Sequence, residues 1–536
     1  MSEPYDYDVI VIGSGFGGSV SALRLAEQGY RVCILEQGRR LRSDDLARAG
    51  KNAKDLTWAP ALGRYGFLAQ DIYRHLGVVR GIAVGGGSVV YAAVLLEPGT
   101  GFYQDPAWKN LSQDWLLELA PYYQRAKTML GVSTNPYRGQ QDQWLEQTAI
   151  QMQAQQSYGS VPQGIYFGDA SQDVADPLLG GQGPSRRGCN QCGCCITGCA
   201  QGAKNSLDQN YLYLAEQLGV EIISESKVSH IEHHATGYKV HHRHAWKKQG
   251  HRSLNAKIVI VSAGVIGTLE ILFASRDHYK TLPHISMQLG QHVRTNSEAI
   301  VSILAQDQDV DLSHGTTISS HFHANAHTHI TQNRFPASYE FMKFYMGPLI
   351  GGENPVQRAW QVLKHLLFYP RRSSLAWRSR NWHKRVTVLT VMQHADNQLK
   401  FSYGRSMLRG FRKSLKSAVS VGARAPSYLP VANQAAEVFA RVSGGTAQNV
   451  LLESVANLSV TAHLLGGAVM AENADQGVID AQHMVFAYPN LYVVDGSAIP
   501  VNVGVNPSLT ITALAERFAA QFSQRSPEPP QSIETG

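Results

Sequence analysis

The chain has 536 residues, of which 43% are hydrophobic and only 17% charged, and its formal net charge is +7. That length calls for two domains, and the composition excludes extended disorder. Lys and Arg are scattered among acids, so nucleic acid is not an expected partner. The first residues show neither a basic start nor an apolar signal core. The longest apolar stretch, Ile258 to Leu269, is too short to span a bilayer. A cytoplasmic enzyme, at most peripheral to a membrane, is the default expectation.

The first predicted element is an apolar strand, Tyr7 to Ile12. It runs into Gly13-Ser14-Gly15-Phe16-Gly17-Gly18 and then a helix to Gln28. Gly13 permits the tight turn, Gly15 lets the backbone approach a pyrophosphate, and Gly18 lets helix and strand pack closely. The pyrophosphate would rest on free amides at the positive end of the helix. A second strand, Arg31 to Leu35, ends in Glu36, about twenty residues past the glycines, where an acid grips ribose hydroxyls. Glu36 repels a 2′-phosphate, which disfavours NADP and leaves FAD or NAD.

A second glycine turn, Gly85-Gly86-Gly87-Ser88, precedes a polar, helix-prone stretch with a Gly/Pro-rich linker at Leu179 to Pro184. Five of the six cysteines then fall between Cys189 and Cys199. Ala256 to Gly264 is a further strand and turn. From about 296 to 454 the patterns alternate, as in Arg385 to Val391, and predict a mostly β domain. Near the end, Asn490 to Val494 is a strand closed by Asp495-Gly496. The segment Val505-Asn506-Pro507-Ser508 opens the last helix, with Asn506 as its cap and Pro507 in its first position. This closing segment and the first glycines read as two parts of one nucleotide site, with FAD or NAD as its cofactor. The Pro-rich tail, 524–536, is expected to fray.

Taken together, these segments resemble the glucose–methanol–choline (GMC) flavin oxidoreductases. The match rests on the Gly13 to Glu36 unit, the turn at Gly85 to Ser88, Ser262-Ala263-Gly264, and the stretch from Asp495 to Glu516. His463-Leu464-Leu465-Gly466-Gly467 and Gly504-Val505-Asn506-Pro507 look most like the non-covalent cholesterol oxidase branch. The resemblance implies an α/β chain, α+β overall. A Rossmann-like FAD domain would be assembled from 1–100, 186–295 and 455–536. A mostly antiparallel-sheet substrate domain with helices would comprise 101–185 and 296–454.

The resemblance also implies the chemistry: hydride transfer from a sterol or another bulky hydrophobic alcohol to non-covalent FAD. His463 and Asn506 would stand at the reacting hydroxyl. Further cofactor contacts carried over are Gly86, Ser88, Tyr91, Val94, Val228 and Gly264, with Asp495, Gly496, Pro507 and Ser508. Two departures stand out: Leu464 replaces a usual proline, and Tyr91 replaces a smaller residue. Cholesterol oxidases also isomerise the steroid double bond with a carboxylate base. Here Thr328 to Pro336 has no acid before Glu340, so oxidation without efficient isomerisation is expected.

Two features lie outside this pattern. Cys189, Cys192, Cys195 and Cys199 have the C-x₂-C-x₂-C-x₃-C spacing of bacterial ferredoxins, with Ala200 in place of proline. Structural or redox-active thiols, an iron–sulfur cluster that passes electrons to a non-oxygen acceptor, and zinc all stay open. Second, Asn354-Pro355 starts a helix whose Val356, Ala359, Trp360, Leu363, Leu366 and Leu367 share one face. Eight Lys/Arg and no acid fall between Arg358 and Arg385. Packing of that apolar face on the substrate domain is the favoured expectation; a lid meeting an anionic membrane surface is the other.

Overall fold

The architecture was obtained as a computed structural model, which describes residues 5–247, 250–394, 397–406, 412–420, 428–455 and 458–525. Of the tail expected to fray, 526–536 lies outside the described residues.

The first sheet has seven strands. Its centre is Tyr7–Ile12, parallel to Val32–Leu35 on one side and to Arg252–Val261 on the other. Glu221–Ile223 extends one edge in parallel, while Tyr238–His244 and Ser226–His233 complete the other as antiparallel strands. The late strand Leu491–Val493 inserts beside Val259–Val261. Beginning and end of the chain therefore share one sheet.

Alternation along these strands separates two cores, because successive side chains point to opposite faces. Val9, Val11, Ile34, Ile258 and Ile260 meet helices Phe16–Glu27, Tyr211–Gln217 and Ser508–Ala519. Ile10, Ile12, Cys33, Val259 and Val261 meet helix Gly264–Phe273 on the other face. Cys33 is a buried thiol, as its strand position predicts.

A second seven-stranded sheet is antiparallel throughout, in the order 346–348, 445–450, 299–305, 386–393, 328–333, 320–325 and 159–160. Helices Gln140–Gln151 and Pro430–Ser443 cover one of its faces. A buried pair ties helix to sheet: Arg334 meets Asp142 at 2.9 Å, and Ser320 and Gln332 donate to the same carboxylate. The stretch 101–185 divides between the two sheets. Its helix Trp115–Met129 lies against Ser508–Ala519, through Tyr123 to Thr510 and Arg517 to Glu118.

Helix Pro355–Phe368 forms where the sequence predicts, capped by the Asn354 side chain on the amides of Val356 and Gln357. Its orientation overturns the favoured expectation. The apolar stripe faces outward, with Trp360 56% and Leu367 66% exposed and Val356 and Leu363 beside them. Arg358 and Val362 point inward instead. Arg358 donates to the carbonyls of Gly352 and Glu353 just before the helix and to that of Glu453 across from it.

Candidate active site

At the N-terminal glycines, each residue has a separate physical reason. Gly13 adopts φ +99, in the left-handed region that favours glycine, and an added Cβ would meet the Ser262 carbonyl oxygen at 2.4 Å. At Gly17 a Cβ would sit 1.7 Å from the Val494 carbonyl oxygen, and at Gly18 it would sit 2.0 Å from that of Gly13. These three glycines let the helix, the first strand and the late strand approach. Gly15 differs, since a Cβ there would meet nothing within 4 Å. Gly86 touches Gly15 backbone to backbone, so the second glycine turn closes one side of this space.

Glu36 is buried beside it and accepts from the Ser14 amide at 3.0 Å, the Ser14 hydroxyl at 2.7 Å and the Gly38 amide at 2.7 Å. Burial pushes its carboxyl up, and these donors oppose that shift. Three donors leave acceptor capacity on a carboxylate with roughly four lone-pair sites. Ser226 donates its amide to the Glu36 carbonyl at 2.7 Å, which brings the strand of Val228 to the same end of the sheet.

The late strand delivers Asp495, buried and fixed by Thr268 at 2.6 Å and by the Ser497 amide and hydroxyl at 2.8 and 2.5 Å. Burial pushes this carboxyl up as well. The Gly496 carbonyl accepts from the amide of Gly466 at 2.9 Å, and Gly264, at φ +68, has no neighbour within 4 Å of its missing Cβ. Ser88 is committed locally: its hydroxyl donates to Gly85 at 2.6 Å and accepts from the Leu207 amide at 3.0 Å. Tyr91 stands edge-on to Phe16, with ring centroids 5.5 Å apart, and donates to the Asn205 carbonyl at 2.7 Å. Val94 is buried and bridges to Gln163.

His463 follows the short strand Ser459–Thr461, which runs parallel to Leu76–Gly81. Its Nδ1 lies 2.5 Å from Oε1 of Glu298. Glu298 is buried and also accepts from the Thr461 hydroxyl at 3.1 Å and the Ala462 amide at 3.3 Å. The other ring nitrogen, Nε2, faces Asn506 Nδ2 at 3.4 Å. Asn506 Oδ1 is buried without a partner among the described residues.

The last helix begins one residue later than predicted, at Ser508, with Pro507 as its cap. The Asn506 side chain turns to His463 instead of capping. A zipper between distant segments assembles the site: Asn296 donates to the Val505 carbonyl at 2.9 Å and Arg294 to that of Pro500 at 2.6 Å.

Glu298 escaped the sequence reading, although an acid opening the apolar run Ala299 to Ala305 is a signal of a paired buried charge. The segment expected to carry a carboxylate, 328–340, offers only Glu340, which is engaged with His383 and Lys343 elsewhere. The carboxylate beside His463 comes from 165 residues upstream.

Among the described residues, no three cysteine sulfurs lie within 4.8 Å of one another, and the one such group of metal-ligating side chains is His321, His323 and His329. None of the six cysteines forms a disulfide. Cys189, Cys192, Cys195 and Cys199 instead shape a turn against residues 313–317. The Gly193 amide donates to the Gly315 carbonyl at 2.8 Å there, and the Thr317 hydroxyl donates to the Gly193 carbonyl at 3.0 Å. Lys204, fully buried, donates to the carbonyls of Val89, Tyr91 and Cys195 at 2.7, 3.1 and 2.6 Å, and burial lowers it to about 8. The stretch from the second glycine turn to Tyr91 is thereby clamped to the cysteine loop.

A parallel sheet with a glycine turn at its centre, a buried acid on the next strand and a late strand returning to the same edge define a dinucleotide-binding oxidoreductase. Residues 8–363 match the FAD-dependent oxidoreductase family and residues 371–515 the GMC oxidoreductase C-terminal family. The chain is 39% identical to a cholesterol oxidase of Mycobacterium tuberculosis, over 97% of this chain and 92% of that one. It is 36% identical to a cholesterol oxidase of Acinetobacter baumannii, over 96% and 94%. Among solved structures, pyridoxine 4-oxidase from Mesorbium loti shares the fold, with a TM-score of 0.65 at 15% identity over 96% of this chain and 99% of that one. The chain belongs to the GMC family of FAD-dependent oxidoreductases.

The residues present fit FAD. Open space faces Gly15, Glu36 retains acceptor capacity, and a buried amide oxygen of Asn506 lacks a partner beside His463.

Proposed function

We propose that the protein oxidises a sterol, or another bulky hydrophobic alcohol, to the ketone or aldehyde. The observation that carries this reading is His463, paired through Nδ1 with a buried carboxylate and turned through Nε2 toward Asn506. Relatives described as cholesterol oxidases, matched nearly end to end, favour the sterol. In this reading 1–100, 186–295 and 455–536 hold the cofactor, while 101–185 and 296–454 shape the substrate side. Gly13, Gly15, Phe16, Gly17, Gly18 and Glu36 would hold the nucleotide end. Gly86, Tyr91, Asp495, Gly496, Asn506 and the first turn of the last helix would face the flavin end.

Bound FAD supplies the two-electron acceptor for the hydride leaving the carbinol carbon. The protein's own groups handle the proton. Glu298 accepts the Nδ1 hydrogen of His463, which leaves the lone pair on Nε2. Nε2 can then take the hydroxyl proton as the carbinol C–H bond breaks. Asn506 Nδ2 carries two hydrogens and is placed to donate one to the hydroxyl oxygen. All three contacts of Glu298 are donors to its oxygens, which hold it where it orients His463. Oxidation without efficient isomerisation rests on the lack of an acid in 328–336.

The outward stripe of Val356, Trp360, Leu363 and Leu367 gives the lid reading its support. Lys364 lies 5.6 Å from the centre of the Trp360 ring, and acids are absent from 358–385. An apolar ridge with basic neighbours suits an anionic lipid surface, from which a membrane-dissolved alcohol could enter.

The test is anaerobic addition of sterols and long-chain alcohols to the purified flavoprotein. A competent alcohol bleaches the yellow colour without oxygen. His463→Ala is expected to keep FAD while turnover drops by roughly 10² to 10⁴. Unchanged turnover would remove the assigned role.

A further inference from the structure

We propose that His321, His323 and His329 form a site for a divalent transition-metal ion of the zinc class. The three belong to the hairpin of strands Ser320–Asn325 and Thr328–Asn333, in which His323 lies directly opposite His329. His321 and His323 are two apart and share a face. The intervening Phe322, with Ile330 across the hairpin, points the other way into the core beneath the two helices. One nitrogen from each ring lies within 4.8 Å of the others. His321 Nδ1 and His329 Nε2 are 2.8 Å apart. Ring centroids are separated by 4.8 to 5.8 Å across the three pairs.

The ligand set is graded from core to solvent, with His329 buried, His321 intermediate and His323 exposed. An ion can therefore enter past His323 and keep its fourth position for water, the arrangement of an open three-histidine zinc site. The chemistry suits imidazole-preferring metals and not magnesium or calcium, which take oxygen ligands.

A simple hydrogen-bonded pair accounts for His321 and His329 but gives no role to His323. Two nitrogens on one tetrahedral ion at about 2.0–2.1 Å stand about 3.3 Å apart. The closest pair must therefore open by only about half an ångström, which side-chain rotation can supply. Metal binding there does not depend on which alcohol is oxidised.

The test uses the FAD-loaded, full-length protein, stripped with a chelator and dialysed against graded Zn²⁺. Zinc held by the cysteine loop is separated by repeating the measurement after thiol alkylation. The alkylated protein is expected to bind one equivalent. His323→Ala, at an exposed position that should not disturb folding, is expected to weaken that binding at least about tenfold. The double variant His321→Ala/His323→Ala is expected to abolish it, with retained FAD absorbance reporting an intact fold. X-ray absorption should show a nitrogen and oxygen shell at about 2.0–2.1 Å. Equal zinc uptake by all three proteins, no uptake by the alkylated protein, or a sulfur-only shell before alkylation would overturn the proposal.

Discussion

Replacing Glu298 by Gln isolates the orientation of His463 from everything else in the site. The carboxylate makes three contacts, to His463 Nδ1 at 2.5 Å, the Thr461 hydroxyl at 3.1 Å and the Ala462 amide at 3.3 Å. All three require it to accept. A glutamine has one accepting oxygen and one donating nitrogen, so it satisfies only one side. If its oxygen faces His463, a charge-assisted bond worth about 1.5–3 kcal/mol becomes a neutral one worth about 0.5–1.5, a loss of about 1–1.5 kcal/mol. That converts to roughly a fivefold to tenfold slower step. If its nitrogen faces His463, the ring must accept at Nδ1 and carry its proton on Nε2, where it can no longer act as a base. Amide replacement of the orienting acid in serine-protease triads costs about 10⁴ for that reason.

Glu298→Gln should therefore lower the rate of anaerobic flavin reduction at saturating alcohol by at least about fivefold, with FAD still bound. The measurement is single-turnover stopped-flow absorbance at the flavin band. A variant that keeps its FAD and reduces it within twofold of the parent rate would refute the reasoning.

The remaining predictions address the cofactor cradle, the buried ion pair and the outward helix. Gly17→Ala places a methyl 1.7 Å from a buried carbonyl and should lower the melting temperature of the apoprotein, at a cost of about 1–3 kcal/mol or more. Gly15→Ala meets open space, so it should melt like the parent and instead lose FAD affinity, read by fluorescence of released flavin. For Asp142, burial alone raises the carboxyl, but Arg334 and the Ser319 and Ser320 hydroxyls outweigh burial and hold it below the ordinary range. Its stabilisation is thus full above about pH 4 and fades as pH falls further. Asp142→Asn should destabilise by about 3–5 kcal/mol at neutral pH, and denaturant melts should show the gap narrowing below about pH 4. Finally, Trp360→Ser/Leu367→Ser should reduce flotation with anionic vesicles while leaving turnover of detergent-dispersed alcohol unchanged. Equal flotation would remove the helix from membrane contact.

Local sequence determined the nucleotide unit, because strand, glycines, helix and acid lie within about thirty residues and each has a steric or electrostatic reason at its own position. The same holds for the cap at Asn354 and for the late strand ending in Asp495. Within 296–454 less was legible: alternation shows that strands exist there, but several antiparallel orders satisfy the same pattern. The cysteine run shows another limit: its spacing is that of a cluster loop, but the bonds to Gly315 and the Lys204 clamp that set its turn come from distant segments.

Only tertiary structure decided which carboxylate meets His463, that three histidines converge on one face of a hairpin, and that an amphipathic helix shows its apolar side to solvent. Glu298 and His463 are 165 residues apart, and no spacing rule reaches that far. Helical periodicity identifies an apolar stripe without saying which way it turns. Here Arg358 and Val362 turn inward, and Arg358 reaches the Glu453 carbonyl at 3.5 Å. Sequence carries short-range sterics and periodicity; the pairing of buried polar groups depends on which segments the folded chain brings together.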